Sequence, residues 1–237
     1  MDAPAKPDTC RNVGTGEIIV NKNKIYMTPR ERILATINRQ PVDRPPIDLW
    51  CTPEVLDTLR QHTSLQDELA VYHALGVDKI VWIFPGYGGR YFDPNDSGEI
   101  TLWGVPTRMV KSGLATYQEY VNPPLADYSD PAPLADYPWP DPDKFDYAGA
   151  KALADEARSW NFATIGPWIS HFEVYCQMRG LENAMMDTLV NPEFLDATLA
   201  HIDAVQTVML ERMLRELGDR LDIVFISDDM GMQHNLL

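Results

Sequence analysis

Apolar positions recur along this chain in two alternating rhythms. Lys79 to Phe84 is apolar on both faces, as a strand buried in a parallel sheet must be. Leu195, Leu199, Ile202, Val205, Met209 and Met213 recur at threes and fours, which predicts one long helix with a single buried stripe. Asn191-Pro192-Glu193 starts that helix and Gly218 ends it. Further strands are predicted near 47–51, 161–165 (ended by Gly166-Pro167) and 222–227.

Helical segments fill the intervals. Thr28-Pro29-Arg30-Glu31 carries the signature of a capping box, with Pro29 at the first helical position, and Pro45-Pro46 is expected to stop that helix. Helices follow at about 53–61, 65–75 (closed by Gly76), 147–159, 172–179 and 181–189. Residues 99–121 alternate weakly and read as a β-hairpin outside the main sheet. Residues 122–143, rich in Pro, Asp and Tyr, read as an ordered surface crossing. Buried strands alternating with helices mean a parallel α/β fold. Residues 1–26 are polar and without period, which reads as an extension preceding a start at Met27. The strand at 222–227 delivers two carboxylates to a loop, and the helix expected next is missing. Residues 27–237 therefore read as one incomplete domain.

Composition narrows the class. A formal charge of −15 with no Lys/Arg cluster argues against nucleic acid. Cys10, Cys51 and Cys176 are too few and too widely spaced for a disulfide framework or a zinc ribbon. A reducing, cytoplasmic setting is expected. No apolar run is long enough to span a bilayer, and a soluble chain is expected.

Ligands of parallel α/β folds bind at the carboxyl ends of the strands. There the sequence places Trp50-Cys51, Pro85 to Tyr91, Gly166 to Tyr175 and Asp228 to His234. Asp228 and Asp229 are the leading catalytic candidates, because adjacent acids can orient an amine or pyrrole N–H or share a proton. The competing reading is that one caps the next helix and the other faces water. Gln233 and His234 lie just beyond. His171 and Tyr175 share a helical face at a spacing of four, whereas His171 and Cys176 suit one metal poorly, and no metal ligand is assigned. Gly86-Tyr-Gly-Gly-Arg-Tyr91 offers either a plain turn or an anion loop with Arg90 as the clamp. Met185, Met186, Met209 and Met213 read as core filler.

Several stretches, in order, resemble uroporphyrinogen decarboxylase-like proteins. These are Met27 to Asn38 with Val42-Asp-Arg-Pro-Pro-Ile47, Tyr137-Pro-Trp-Pro-Asp-Pro142, Gly166-Pro-Trp168 through Tyr175, Arg179-Gly-Leu-Glu-Asn183, and Asp228-Asp-Met-Gly-Met-Gln233. The likeness covers about residues 27–237. It implies a (β/α)8 TIM barrel, here its N-terminal part, with about four barrel strands and an inserted hairpin. It also implies one of two chemistries: decarboxylation of uroporphyrinogen in porphyrin synthesis, or methyl transfer from a small methylated substrate to a corrinoid protein. Leu49-Trp50-Cys51 replaces the early Arg loop of the decarboxylases, and Pro85 stands where they carry a catalytic Asp. Methyl transfer is therefore the expected branch. Its zinc ligands, a His-x-Cys and a later Cys, belong to the second half of such a barrel, and no cofactor is assigned here. The resemblance makes Tyr175 catalytic beside Asp228 and Asp229. Trp50, Arg90, Trp168, Glu173, Gln233 and His234 are expected to touch substrate. Expected partners are a small molecule, a corrinoid protein and a second copy of the chain. A non-catalytic binding partner that completes its sheet by pairing is the remaining alternative.

Overall fold

The computed structural model describes residues 26–89, 99–113 and 115–231. Within them the chain is mixed α/β, with small sheets and seven α-helices. Helices α1 (Pro29–Ile37), α2 (Pro53–Thr63) and α3 (Glu68–Ala74) precede strand β1 (Ile80–Trp82). Strands β2 (Gly86–Tyr87), β3 (Glu99–Ile100), β4 (Pro106–Ser112), β5 (Ala115–Tyr120) and β6 (Phe145–Asp146) lead to helix α4 (Tyr147–Ser159). Then come β7 (Ala163–Ile169), α5 (Phe172–Arg179), α6 (Leu181–Val190), α7 (Pro192–Leu217) and β8 (Ile223–Ile226).

The central sheet has the order β1-β7-β8, all parallel, with Trp82 opposite Ile165 and Phe225 opposite Trp168. β3, β4 and β5 form the separate antiparallel unit expected at 99–121. The glycine run at 86–89 is neither a plain turn nor an open loop in its described part. Gly86 and Tyr87 pair with Asp146 and Phe145, and the Gly88 N–H donates to the Lys144 carbonyl at 2.8 Å.

Local signals set most helix boundaries. The Thr28 side chain accepts from the Glu31 N–H, and the Glu31 carboxylate accepts from the Thr28 N–H at 2.8 Å, a complete capping box. That helix stops at Ile37, well before Pro45, where the Asn38 amide donates to the Leu34 carbonyl at 2.8 Å. Helix α3 begins later than the pattern suggests, because Asp67 caps it through the Ala70 N–H at 2.6 Å.

Two expectations for strands need correction. Residues 47–51 form no strand. The Ile47 carbonyl accepts one bond, from the Asp78 N–H at 2.7 Å, but the Ile80 N–H then goes to the Asp48 side chain at 3.2 Å, so the ladder cannot propagate. Nor does Gly166-Pro167 end β7. The strand runs through both residues to Ile169, with a register irregularity between Ile165 and Trp168 that accommodates a proline lacking its N–H. Gly166, at φ +142°, faces the Ile83 carbonyl so closely that a Cβ would collide with it.

Two apolar clusters hold the layers together, and α7 joins them. Phe194, Ile202, Val205 and Met209 pack with Tyr175, Met178, Leu125 and Leu134 in one cluster. Met213 and Leu217 pack with Val81, Ile83, Ala154 and Phe162 in the other. At about 1.5 Å per residue, such a helix spans nearly 40 Å, enough to reach both. The buried stripe also takes in Phe194, Thr198 and Gln206, while Leu195 and Leu199 are only half-buried. Met209 and Met213 fill core as expected, but Met186 is exposed. Leu125 and Leu134, both fully buried, anchor the Pro-rich crossing, and the Tyr137 hydroxyl donates to the Trp103 carbonyl at 2.6 Å.

Buried charge locks α1 to the amino-terminal end of the sheet. Arg30 makes a fork onto Asp222, with contacts of 3.0 and 2.6 Å, and Asp222 also accepts from the Thr164 N–H at 3.1 Å. Arg32 bridges Asp43 at 2.6 Å and the fully buried Asp78, which Arg44 also pairs. No helix among the described residues is long and apolar enough to cross a membrane.

Candidate functional site

Because β1, β7 and β8 are parallel, their carboxyl ends open on one side. Val81 and Ile83 point into the helical layer, so Trp82 and Phe84, one residue out of phase, face the other way. Trp82 centres an aromatic cluster there, with ring centroids 5.5 Å from Trp50, 5.5 Å from Phe84, 5.6 Å from Trp168 and 5.0 Å from Phe225.

Two depressions flank this cluster, and Phe84 and Trp168 border both. The larger, of about 480 Å³, lies between the ends of β1 and β7, the β3–β5 unit, α5 and α7. Its wall is mostly apolar, with Trp103, Phe145, Val205 and Met209 beside Phe84 and Trp168. The shallower one, of about 310 Å³, contains Trp50, Cys51, Tyr72 and Lys79. A site of the larger volume suits a small molecule.

A few polar groups enter the larger cavity. Glu173 takes a hydrogen bond from the Gln177 amide at 3.3 Å on one oxygen, and its other oxygen lies 3.2 Å from the Ser170 hydroxyl. The Gln206 amide donates to the Ser170 carbonyl at 2.8 Å. Tyr120 also borders it, and partial desolvation together with the Glu173 carboxylate raises its pKa.

Asp228 sits at the end of β8 but works on α5. It accepts from the Ser170 hydroxyl at 2.7 Å and from the backbone N–H groups of Glu173 at 2.8 Å and His171 at 3.1 Å. His171, at the cap position of α5, makes no capping bond with its own side chain, so Asp228 performs that task from the neighbouring strand. Burial pushes the Asp228 carboxyl up, yet the donated N–H and O–H bonds outweigh it and hold the group below its ordinary value. Asp229 is exposed, so the two acids are not buried together and share no proton-trapping environment.

No family profile, curated protein or solved structure matches the chain.

The remaining candidates divide by position. Trp168 and Glu173 line the larger cavity, and Trp50 lines the smaller. Tyr175 lies in neither depression. It is fully buried, and its hydroxyl donates to Asp187 at 2.5 Å, beside the Arg179 guanidinium, which donates to the same oxygen at 2.6 Å. Burial and the Asp187 carboxylate hold that phenol protonated well above its ordinary range. His171 turns outward to Asp203, at 3.0 Å. Cys176 is pushed up to about 11 by burial and by Asp228 and Glu173, so its thiol is no thiolate at neutral pH. Arg90, Gln233 and His234 lie outside the described residues.

Among the described residues no group of His, Cys, Asp and Glu side chains is arranged to hold a metal ion. Cys51 and Cys176 stand at separate places, so the described part of the chain does not fit the zinc set of the methyltransferase branch. Sequence reading missed Gln206, Gln177, Ser170 and Tyr120. Gln206 had a usable signal: it is a polar side chain on the buried stripe of α7, between Val205 and Met209.

Proposed function

We propose that this chain forms part of a uroporphyrinogen decarboxylase-like (β/α)8 barrel enzyme, and that the larger cavity is its substrate site. The observation that carries the reading is the position of this cavity of about 480 Å³, at the carboxyl ends of the parallel strands β1 and β7. The outer edge of β8 supports continuation into further strands. It has no partner among the described residues, and Val224 and Ile226 are exposed beside it.

The chemistry proposed is methyl transfer from a small methylated substrate to a corrinoid protein. Two features favour it over decarboxylation of uroporphyrinogen. Pro85 borders the cavity where the resembled decarboxylases carry an acid. Both oxygens of Asp228 are engaged by donors of this chain, leaving that acid committed to α5.

The test incubates the purified protein with reduced free cobalamin and a panel of methylated amines, thiols and aryl ethers, with uroporphyrinogen in a parallel arm. Methylation of the cobalt, read by absorbance, is the expected result. Release of carbon dioxide from uroporphyrinogen would replace the proposal with the decarboxylase. Inactivity in both arms, with a sheet-completing partner bound, would replace it with a non-catalytic role.

A further inference from the structure

Resting on the reading of the larger cavity as the substrate site, we propose that it selects an organic cation, a protonated amine with at least one N–H carried on an apolar body.

The one formal charge among the described residues of this cavity is negative. Among its described residues none is Lys, Arg or His, and Glu173 brings a carboxylate. An anionic ligand would meet that charge with no cation among the described lining residues to offset it. The rings of Phe84, Trp103, Tyr120 and Trp168 add aromatic surface, whose negative faces attract cations.

Gln206 supplies the more specific demand. It is 4% exposed, and its Nε2 donates to the Ser170 carbonyl at 2.8 Å. A carbonyl only accepts, so this bond fixes which end of the amide is nitrogen. Its Oε1 is then buried without a hydrogen-bond partner among the described residues. An unsatisfied buried acceptor is rare and costly in a folded protein. Gln206 lines the cavity, and a small shift of its amide that opens Oε1 to a ligand N–H satisfies it, with the positive charge shared between Glu173 and the rings. A quaternary ammonium would keep the charge interactions but leave Oε1 unsatisfied.

Isothermal titration calorimetry at neutral pH with three probes tests this: N,N-dimethylbenzylammonium, benzyltrimethylammonium and benzoate. The tertiary amine should bind, the quaternary ion about tenfold more weakly, and benzoate not measurably. Glu173→Gln should weaken the tertiary amine about tenfold. Gln206→Leu should erase the preference for the tertiary over the quaternary ion. Should Gln206→Leu fail to fold, as read by its thermal melt, the wild-type selectivity series decides alone. Benzoate binding as tightly as the amine, no saturable amine binding, or amine affinity unchanged in Glu173→Gln would overturn the inference. Amine binding with the expected selectivity upholds it whether or not a methyl group moves. Methyl transfer from another substrate without amine binding overturns it and leaves the proposed function standing.

Discussion

The carboxylate of Asp228 accepts the backbone N–H of Glu173 at 2.8 Å, although 55 residues separate the two. The end of β8 thereby sets the start of α5, the helix that carries Glu173 into the cavity. Asp228→Ala would orphan the N–H groups of His171 and Glu173 and should cost about 1–2 kcal/mol, the range for losing a helix cap. Asp228→Asn, which keeps one acceptor, should recover part of it. Urea unfolding measures both, and an alanine variant as stable as the parent would refute the capping role.

Acid should unfold the protein through its paired carboxylates. The Arg32 guanidinium, against partial desolvation, holds the Asp43 carboxyl well below the ordinary range, and Asp228 is also lowered. A folded pKa below the unfolded value means that the unfolded chain binds more protons, so stability falls as pH falls. These contributions are complete above the unfolded value of about 4 and fade as pH drops through the folded values. Melting temperature should therefore be level from neutral to mildly acid pH and then decline. The deficit of Asp43→Asn relative to the parent should shrink over the same acid range. A deficit constant with pH would show that Asp43 does not act through its charge.

What the sequence made legible was local. Thr28, Pro29 and Glu31 announce their helix within four positions, and Pro192 at the first helical position marks the start of α7 as clearly, because both signals lie within one turn of the start they mark. Residues 47–51 have strand-like composition but lie beside β1 without a ladder, because the Asp48 side chain takes the Ile80 N–H. The same limit governs the site. Asp228 looked catalytic because its acceptors face donors on α5 that no local pattern reveals. Tyr175 looked available because its partners, Asp187 and Arg179, sit on the far side of its helix from the cavity-lining Glu173 and Gln177.

Gly166→Ala should break the junction of β1 and β7. The residue has φ +142°, which side chains rarely tolerate, and a Cβ there would strike the Ile83 carbonyl. The adjacent Ile83 N–H to Ile165 carbonyl bond, 2.8 Å, leaves the two strands little freedom to separate. Strain of this kind, with the collision added, predicts a loss of at least about 2–3 kcal/mol. Soluble yield and urea midpoint together measure it. A near-normal midpoint would mean that β7 can shift its bulge.

Tyr175 and Arg179 share Asp187, and the two should respond very differently to mutation. Tyr175→Phe removes one hydrogen bond while Asp187 keeps the guanidinium at 2.6 and 3.2 Å, so a loss of about 1 kcal/mol is expected. Arg179→Met strands a buried carboxylate and also deprives the carbonyls of Leu125, Ala126 and Tyr128 of their donor. Breaking a buried pair from one side costs about 3–5 kcal/mol, which should release the Pro-rich crossing as well. Urea unfolding separates the two variants. Ligand affinity then separates the roles: Tyr175→Phe should leave amine binding unchanged, because the phenol lies outside the cavity. A marked loss of binding or turnover in that folded variant would return Tyr175 to the chemistry and displace the structural account of its hydroxyl.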